Sequence, residues 1–126
     1  ALRWMVDLPS VAIARGVLLG QPSREITAAC LRLIARLGLA EDAELMSAFA
    51  THDDWVIRLY AVSGLAALAD PKYGEQVAMS IGDPSHWVAI RAARGLHELR
   101  RSDLLQHIVS IDHPRAALAR PHLEAA

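Results

Sequence analysis

An internal repeat with a period of 31 residues constrains the fold of this chain more than any other feature. Five apolar positions, of which the first is Ile26, recur from Ile57 and again from Val88. The three copies are Ile26, Cys30, Leu33, Ile34, Leu37; Ile57, Ala61, Gly64, Leu65, Leu68; and Val88, Ala92, Gly95, Leu96, Leu99. A repeat of about 20 to 50 residues indicates units that stack in a row and contact their neighbours. We therefore predict a solenoid.

The spacing within each unit predicts a pair of α-helices. The five repeated positions lie on one face of a helix of 3.6 residues per turn, which we name helix B. A shorter amphipathic segment precedes it, as at Leu45, Met46, Phe49 and Ala50, and we name this helix A. Asp and Pro residues divide the two. We predict helices at 10–20, 23–38, 41–51, 54–69, 72–82, 85–100, 102–112 and 114–124.

Length and composition predict one all-α domain over residues 1–126, with repeats at 10–38, 41–69, 72–100 and 102–124. The chain is 53% hydrophobic but only 5% aromatic, which suits closely packed helices and disfavours strands. Residues 1–8 are predicted to be the tail of a B helix from a preceding repeat, closed by Pro9. Trp4, Met5 and Val6 are apolar residues of the kind that a neighbouring repeat would cover. We therefore expect this chain to be part of a longer one.

Charge, cysteine content and hydropathy exclude several classes of protein. A net charge of −1 gives no overall attraction to nucleic acid or acidic membranes. A single cysteine excludes an internal disulfide, and Cys30 stands where the other repeats carry Ala61 and Ala92, so we predict a small buried side chain rather than a nucleophile. The apolar runs are too short to span a bilayer and no signal peptide is visible, so we expect a cytoplasmic protein.

Candidate binding residues occupy the face of helix B opposite the core. They are Ala29, Arg32, Arg36, Tyr60, Ser63, Ala67, Arg91, Arg94 and Glu98. Arg and Tyr are favoured at binding hot spots, although any solvated helix face is also rich in Arg. The hypothesis is strongest for Arg32, Arg91 and Arg94, because the first and the last share one repeat position. We expect an acidic or extended protein segment as the first candidate partner and a nucleic-acid backbone as the second.

A second candidate surface is the rim formed by the turns between helices A and B. One unit has His52 and Trp55 in this turn, and the next unit has the same residue types at His86 and Trp87. Each Trp is either a partner anchor or a side chain that packs over the neighbouring turn. Zinc would need ligands at about 2.0–2.1 Å, whereas stacked helices lie about 10 Å apart, so we predict no metal site on this rim.

Motifs for catalysis are missing from the sequence. It has no Gly-rich phosphate loop, no paired Cys motif and no recognisable Ser, His and acid arrangement. The acidic cluster Glu41, Asp42 and Glu44 lies at a predicted helix start, where negative charge is structural. Gly64 and Gly95 are predicted to let helix A approach closely. We therefore predict no catalytic residue and no cofactor.

One stretch carries a family resemblance. It comprises an acidic turn at Asp53 and Asp54, followed by Ile57, Arg58, Ala61, Gly64, Leu65 and Leu68. It resembles the helix B signature of HEAT repeats, particularly the short bacterial HEAT-like type also found in phycobilisome bilin lyases, over about residues 10 to 115. The resemblance implies a right-handed superhelix of about four hairpins, with the A helices convex and the B helices concave. The family's Arg is present at Arg58, but Thr27 and Ala89 stand at the equivalent places, so a continuous Asp to Arg ladder is not expected.

Two classes of function follow. The first is a non-enzymatic scaffold that binds another protein on its concave face. The second, implied by the resemblance alone, is a ligand-handling or catalytic protein such as a bilin lyase or a helical-repeat DNA glycosylase. A deep pocket, or a basic groove that contains Trp and a buried carboxylate, would favour the second class.

Overall fold

The computed structural model describes the backbone of residues 2–37 and 40–124 and the side chains of residues 11–37 and 41–124. Within these ranges the chain is all-α, as predicted, with eight α-helices and no β-strand. The helices are α1 Leu2–Leu19, α2 Arg24–Leu37, α3 Ala43–Phe49, α4 Trp55–Ala67, α5 Gly74–Met79, α6 His86–Glu98, α7 Ser102–Ser110 and α8 Ala116–Glu124. None of these helices has the length and apolarity that crossing a bilayer requires.

The helix boundaries follow from local hydrogen bonds. Asp54 caps α4, because its side chain accepts a 2.9 Å hydrogen bond from the Val56 N–H. Asp70 caps the short 3₁₀ turn Pro71–Tyr73 in the same way, through the Lys72 N–H. A short 3₁₀ turn precedes α3 and two such turns flank α5, and these two A helices have only seven and six residues.

The first helix differs from its prediction. The sequence predicts a helix over 10–20 and a separate tail over 1–8, but α1 is one helix that runs from Leu2 to Leu19. Pro9 lies inside it and does not end it. The side chains of Trp4, Met5 and Val6, which suggested an unfilled neighbouring surface, lie outside the described side chains.

The helices pack in pairs and in a row. Each odd-numbered helix contacts the helix that follows it, and α2, α4, α6 and α8 contact one another in that order. The core lies between them. Three repeat positions are buried in all three copies, and they are occupied by Cys30, Ala61 and Ala92, by Leu31, Val62 and Ala93, and by Ile34, Leu65 and Leu96.

The buried stripe of α2 is rotated relative to the predicted one. Ile26 was expected in the core, yet it is 49% exposed, whereas the equivalent Ile57 is 1% exposed. Thr27, the next residue, is buried instead, and its hydroxyl donates a 3.4 Å hydrogen bond to the Pro22 carbonyl. The prediction is therefore wrong for Ile26, although it holds for Cys30 and Ile34 in the same helix.

Two glycines permit close helix packing, as predicted. A Cβ atom at Gly64 would lie 2.7 Å from the Met46 Sδ on α3. A Cβ atom at Gly95 would lie 3.3 Å from the Ala66 Cβ and 3.4 Å from the Val77 Cγ1 on α5. Any larger residue at Gly64 would displace the buried Met46 side chain.

Ion pairs connect parts of the chain that lie about one repeat apart. Each joins an arginine to a carboxylate between 25 and 30 positions away. The pairs are Arg15 with Asp42 at 2.6 Å, Arg24 with Asp54 at 2.7 Å, Arg58 with Asp83 at 2.8 Å and Arg101 with Glu75 at 3.0 Å. Only the Arg58 pair uses the family position, so the other links come from arginines elsewhere in the units.

Candidate functional site

The turns before α4, α6 and α8 share one hydrogen bond. In each, a side chain accepts from the backbone N–H two residues later, at 2.8–3.0 Å. The acceptors are His52, Asp83 and His113, and the donors are Asp54, Ser85 and Arg115. This Asx-type contact closes the turn that starts each helix. His52 therefore has a structural task, and its equivalent in the next unit is Asp83 rather than His86.

The structure divides the predicted rim. His52 stacks on Phe49, with ring centroids 6.2 Å apart, and lines a groove with Arg58 and Asp83. Trp55 and Trp87 line a different groove. His86 is the exposed first residue of α6 and lines neither groove.

Trp55 and Trp87 belong to a depression between α4 and α6, which we name the apolar groove. Its walls are Trp55, Leu59, Trp87 and Ile90, its edge is formed by Arg91 and Arg94, and its volume is about 320 Å³. The two indoles are 41% and 64% exposed. They lie within the first two residues of α4 and α6, where neighbouring helices leave them uncovered. A cluster of exposed apolar side chains bordered by charges is typical of an interaction surface.

A second depression crosses α2, α4 and α6, and we name it the basic groove. Its lining residues are Arg32, Ala35, Arg36, Tyr60, Ser63, Ala67 and Arg91, and its volume is about 390 Å³. The structure thus brings six of the predicted concave residues together, namely Arg32, Arg36, Tyr60, Ser63, Ala67 and Arg91. Because Arg91 lines both grooves, the basic groove and the apolar groove adjoin.

Several groups in these grooves are already engaged. The Arg32 guanidinium lies 5.6 Å from the centre of the Tyr60 ring, a cation–π distance. The Ser63 hydroxyl donates a 2.9 Å hydrogen bond to the Leu59 carbonyl in its own helix. Within the described part of the chain, no carboxylate forms an ion pair with Arg32 or Arg36.

Arg91 and Arg94 share one carboxylate. Arg91 Nη1 lies 3.1 Å and Arg94 Nε 3.2 Å from the same oxygen, Oε1 of Glu98. Glu98 is the third concave residue predicted for this unit, and it holds the two arginines beside the apolar groove. All three groups remain in contact with solvent.

Leu59 and Ile90 were not predicted as site residues. They lie 31 residues apart, at the same repeat position, two residues after Ile57 and Val88. This position lies outside the five core positions and outside the predicted concave positions. The recurrence of an apolar residue at this position could have identified it as part of a site, because a solvated helix face would carry polar side chains.

The buried carboxylates of the described residues lie away from both grooves. Asp42 is buried at the start of α3 and pairs with Arg15 through two hydrogen bonds of 2.6 and 2.8 Å. Asp83 is 8% exposed in its side chain and pairs with Arg58. Burial alone would raise the pKa of Asp83, but the hydrogen bonds from Arg58 and the Ser85 N–H, with the nearby positive charges, lower it. The arrangement of Trp, Arg and buried acid that would favour a glycosylase is therefore not formed by the described residues.

Other titratable groups have structural explanations. Cys30 is buried, as predicted, and burial raises the pKa of its thiol, which suppresses the reactive thiolate. His122 lies beside His97, with ring centroids 5.3 Å apart. Burial, followed by the charges of His97 and Arg94, lowers the pKa of His122. Among the described residues, no cluster of three or more His, Cys, Asp or Glu side chains could hold a metal ion.

The two grooves together combine exposed aromatic surface with guanidinium donors, which are side-chain types enriched at binding hot spots. No family model, no curated protein and no solved structure matches this chain.

Proposed function

We propose that this chain is a HEAT-like, right-handed α-solenoid of four helical hairpins that binds another protein in the cytoplasm without catalysis. The 31-residue repeat and the row of contacts from α2 through α4 and α6 to α8 support the stacked arrangement. The ion pairs that link residues about one repeat apart support it as well. On this proposal α2, α4, α6 and α8 are the B helices.

The binding surface of the proposal is the combined face of the basic groove and the apolar groove. The observation that carries it is the shared residue Arg91, which joins predicted concave residues from three helices to the two exposed tryptophans. Tyr, Trp and Arg are the side chains most enriched at the centres of protein interfaces. A partner that contacts all of them spans three helices, so it is an extended segment.

The shape of the surface favours a protein over a small molecule. A small-molecule site encloses about 70–90% of its ligand, whereas these grooves are shallow and open along one side. The cations Arg32 and Arg36 at one end and Arg91 and Arg94 at the other favour acidic residues in the bound segment.

Site-specific photo-cross-linking tests the proposal. A benzophenone amino acid replaces Tyr60 at the centre of the surface or, as the control, the exposed Gln106 on α7. In extracts of the native cell, we expect the Tyr60 probe to cross-link a distinct protein that the Gln106 probe does not.

Charge reversal at Arg32, Arg91 and Arg94 should abolish this cross-link while circular dichroism shows an unchanged helix content. Equal products from both probe positions, or a Tyr60 product that survives charge reversal, would contradict the proposed binding face. Cross-linking to nucleic acid instead would assign the surface to the second predicted partner.

A further inference from the structure

Glu98 occupies the position that a carboxylate of an acidic partner would take. It accepts hydrogen bonds from Arg91 Nη1 at 3.1 Å and from Arg91 Nη2 at 3.5 Å, and its Oε1 lies 3.2 Å from Arg94 Nε. These two arginines are the charged edge of the apolar groove. Their donors therefore point to an internal acid when no partner is bound.

The bonds to Glu98 can be exchanged at little cost. Arg94 and Glu98 are exposed and Arg91 is only half-buried, so water screens both ion pairs. Arginine binds any carboxylate with the same fork of donors. A partner's carboxylate can thus replace that of Glu98 without leaving a buried charge unpaired.

The apolar groove beside these arginines favours an apolar side chain in the partner. The indole of Trp87 is 64% exposed, and together with Trp55 and Ile90 it leaves apolar area in contact with water directly beside the arginines. A bulky apolar side chain would cover this area, and aromatic side chains pack well against indoles.

We infer, on the basis of the proposed function, that the bound segment carries an acidic residue next to a bulky apolar residue, and that its carboxylate replaces Glu98 on Arg91 and Arg94. The apolar side chain enters the apolar groove between Trp55 and Trp87. Glu98 is then an internal competitor, which weakens every acidic ligand and fills the arginine site when the surface is empty.

Synthetic peptides test the inference on the intact chain. The probe is a fluorescein-labelled peptide with two phenylalanines, each flanked by glutamates. In one matched peptide glutamine replaces glutamate, and in the other alanine replaces phenylalanine. Fluorescence anisotropy measures their affinities for the wild type and for the variants Glu98→Gln, Glu44→Gln and Trp87→Ala. Glu44 is an exposed residue of α3 that lines neither groove, so its variant changes the net charge equally.

We expect Glu98→Gln to bind the acidic peptide about twofold to fivefold more tightly than the wild type does. This gain corresponds to about 0.4 to 1 kcal/mol, since tenfold is about 1.4 kcal/mol. Glu44→Gln should keep the wild-type affinity, and the glutamine peptide should show no gain with Glu98→Gln. Trp87→Ala should weaken the phenylalanine peptide but not the alanine peptide.

Unchanged or weaker binding of the acidic peptide by Glu98→Gln would overturn the inference, and so would failure of that peptide to bind any variant. These outcomes are distinct from failure of the proposed function, which the Tyr60 cross-link decides. A captured protein whose linked segment lacks acidic residues would overturn the inference and leave the proposed function standing.

Discussion

Ile26 and Ile57 occupy the same repeat position, but the structure buries only the second, and this difference can be measured as stability. Ile57 is 1% exposed, and replacing such a core residue with Ala costs about 2–5 kcal/mol through lost burial and the cavity that remains. We therefore expect Ile57→Ala to lower the free energy of unfolding by that amount.

Ile26→Ala should cost much less. Complete burial of an isoleucine side chain contributes about 1.5–3 kcal/mol, so the 49% exposed Ile26 contributes roughly half of this. Alanine also has a better helix propensity by up to about 0.7 kcal/mol. Half of that range is about 0.75–1.5 kcal/mol, so after the gain in helix propensity the expected net loss is about 0.1–1.5 kcal/mol.

Urea unfolding followed by circular dichroism at the helical band gives both values, provided that the two variants keep the wild-type dependence on urea. Equal losses of unfolding free energy for the two variants would refute the rotated buried face of α2. They would instead support the buried face that the repeat alone predicts.

Three other predictions concern single side chains. Arg58→Met leaves the enclosed carboxylate of Asp83 without its partner and should lower the free energy of unfolding at pH 7 by about 3–5 kcal/mol in urea titrations. Because the pair lowers the pKa of Asp83, its contribution is present above about pH 4 and is lost in more acidic solution, so a variant difference that stays constant down to pH 2 would contradict the pairing. Cys30 should react with a thiol reagent many times faster in urea than in buffer, and equal rates would show that it is not buried. Because the pKa of His122 is lowered, the unfolded chain takes up its proton first below about pH 6.5, so the wild type should lose thermal stability between pH 7.5 and 5.5. His122→Asn should lose less over the same interval, and superimposable pH profiles would exclude this role.

The repeat predicts the order of the helices and much of the core. The starts of the B helices were predicted at residues 54 and 85 and lie at Trp55 and His86. Periodicity does not reveal which neighbour covers a given position, and for this reason Ile26 was assigned to the core in place of Thr27. Pro9 was read as a boundary for a similar reason, because a proline's effect on a helix depends on packing that the sequence does not show.

The candidate site was predictable only in part. The offsets along helix B placed Arg32, Tyr60 and Arg91 on one face, and in the structure these residues line one groove. Leu59 and Ile90 were missed because periodicity assigned an apolar residue either to the core or to no role. The ion pair between Arg94 and Glu98 follows from their spacing of four residues. The ion pair between Arg91 and Glu98 depends on side-chain rotamers, which the sequence does not show.

The turns before the B helices were also predicted only in part from residue types. Residue types suggested that His52 corresponds to His86 in the next unit, whereas the shared hydrogen bond shows that it corresponds to Asp83. An imidazole nitrogen and a carboxylate oxygen can both accept from a backbone N–H, so residues of different types fill one position. The 31-residue period already places His52 opposite Asp83, and the shared bond shows what this position does.

The ion pair between Arg58 and Asp83 bears on how such a chain can grow. Both partners lie within a single 31-residue period, so a tandem duplication of the 31 codons for residues 55–85 would encode the pair twice. On the proposed stacked arrangement, the inserted unit would therefore bring both partners of one ion pair between neighbouring units with it.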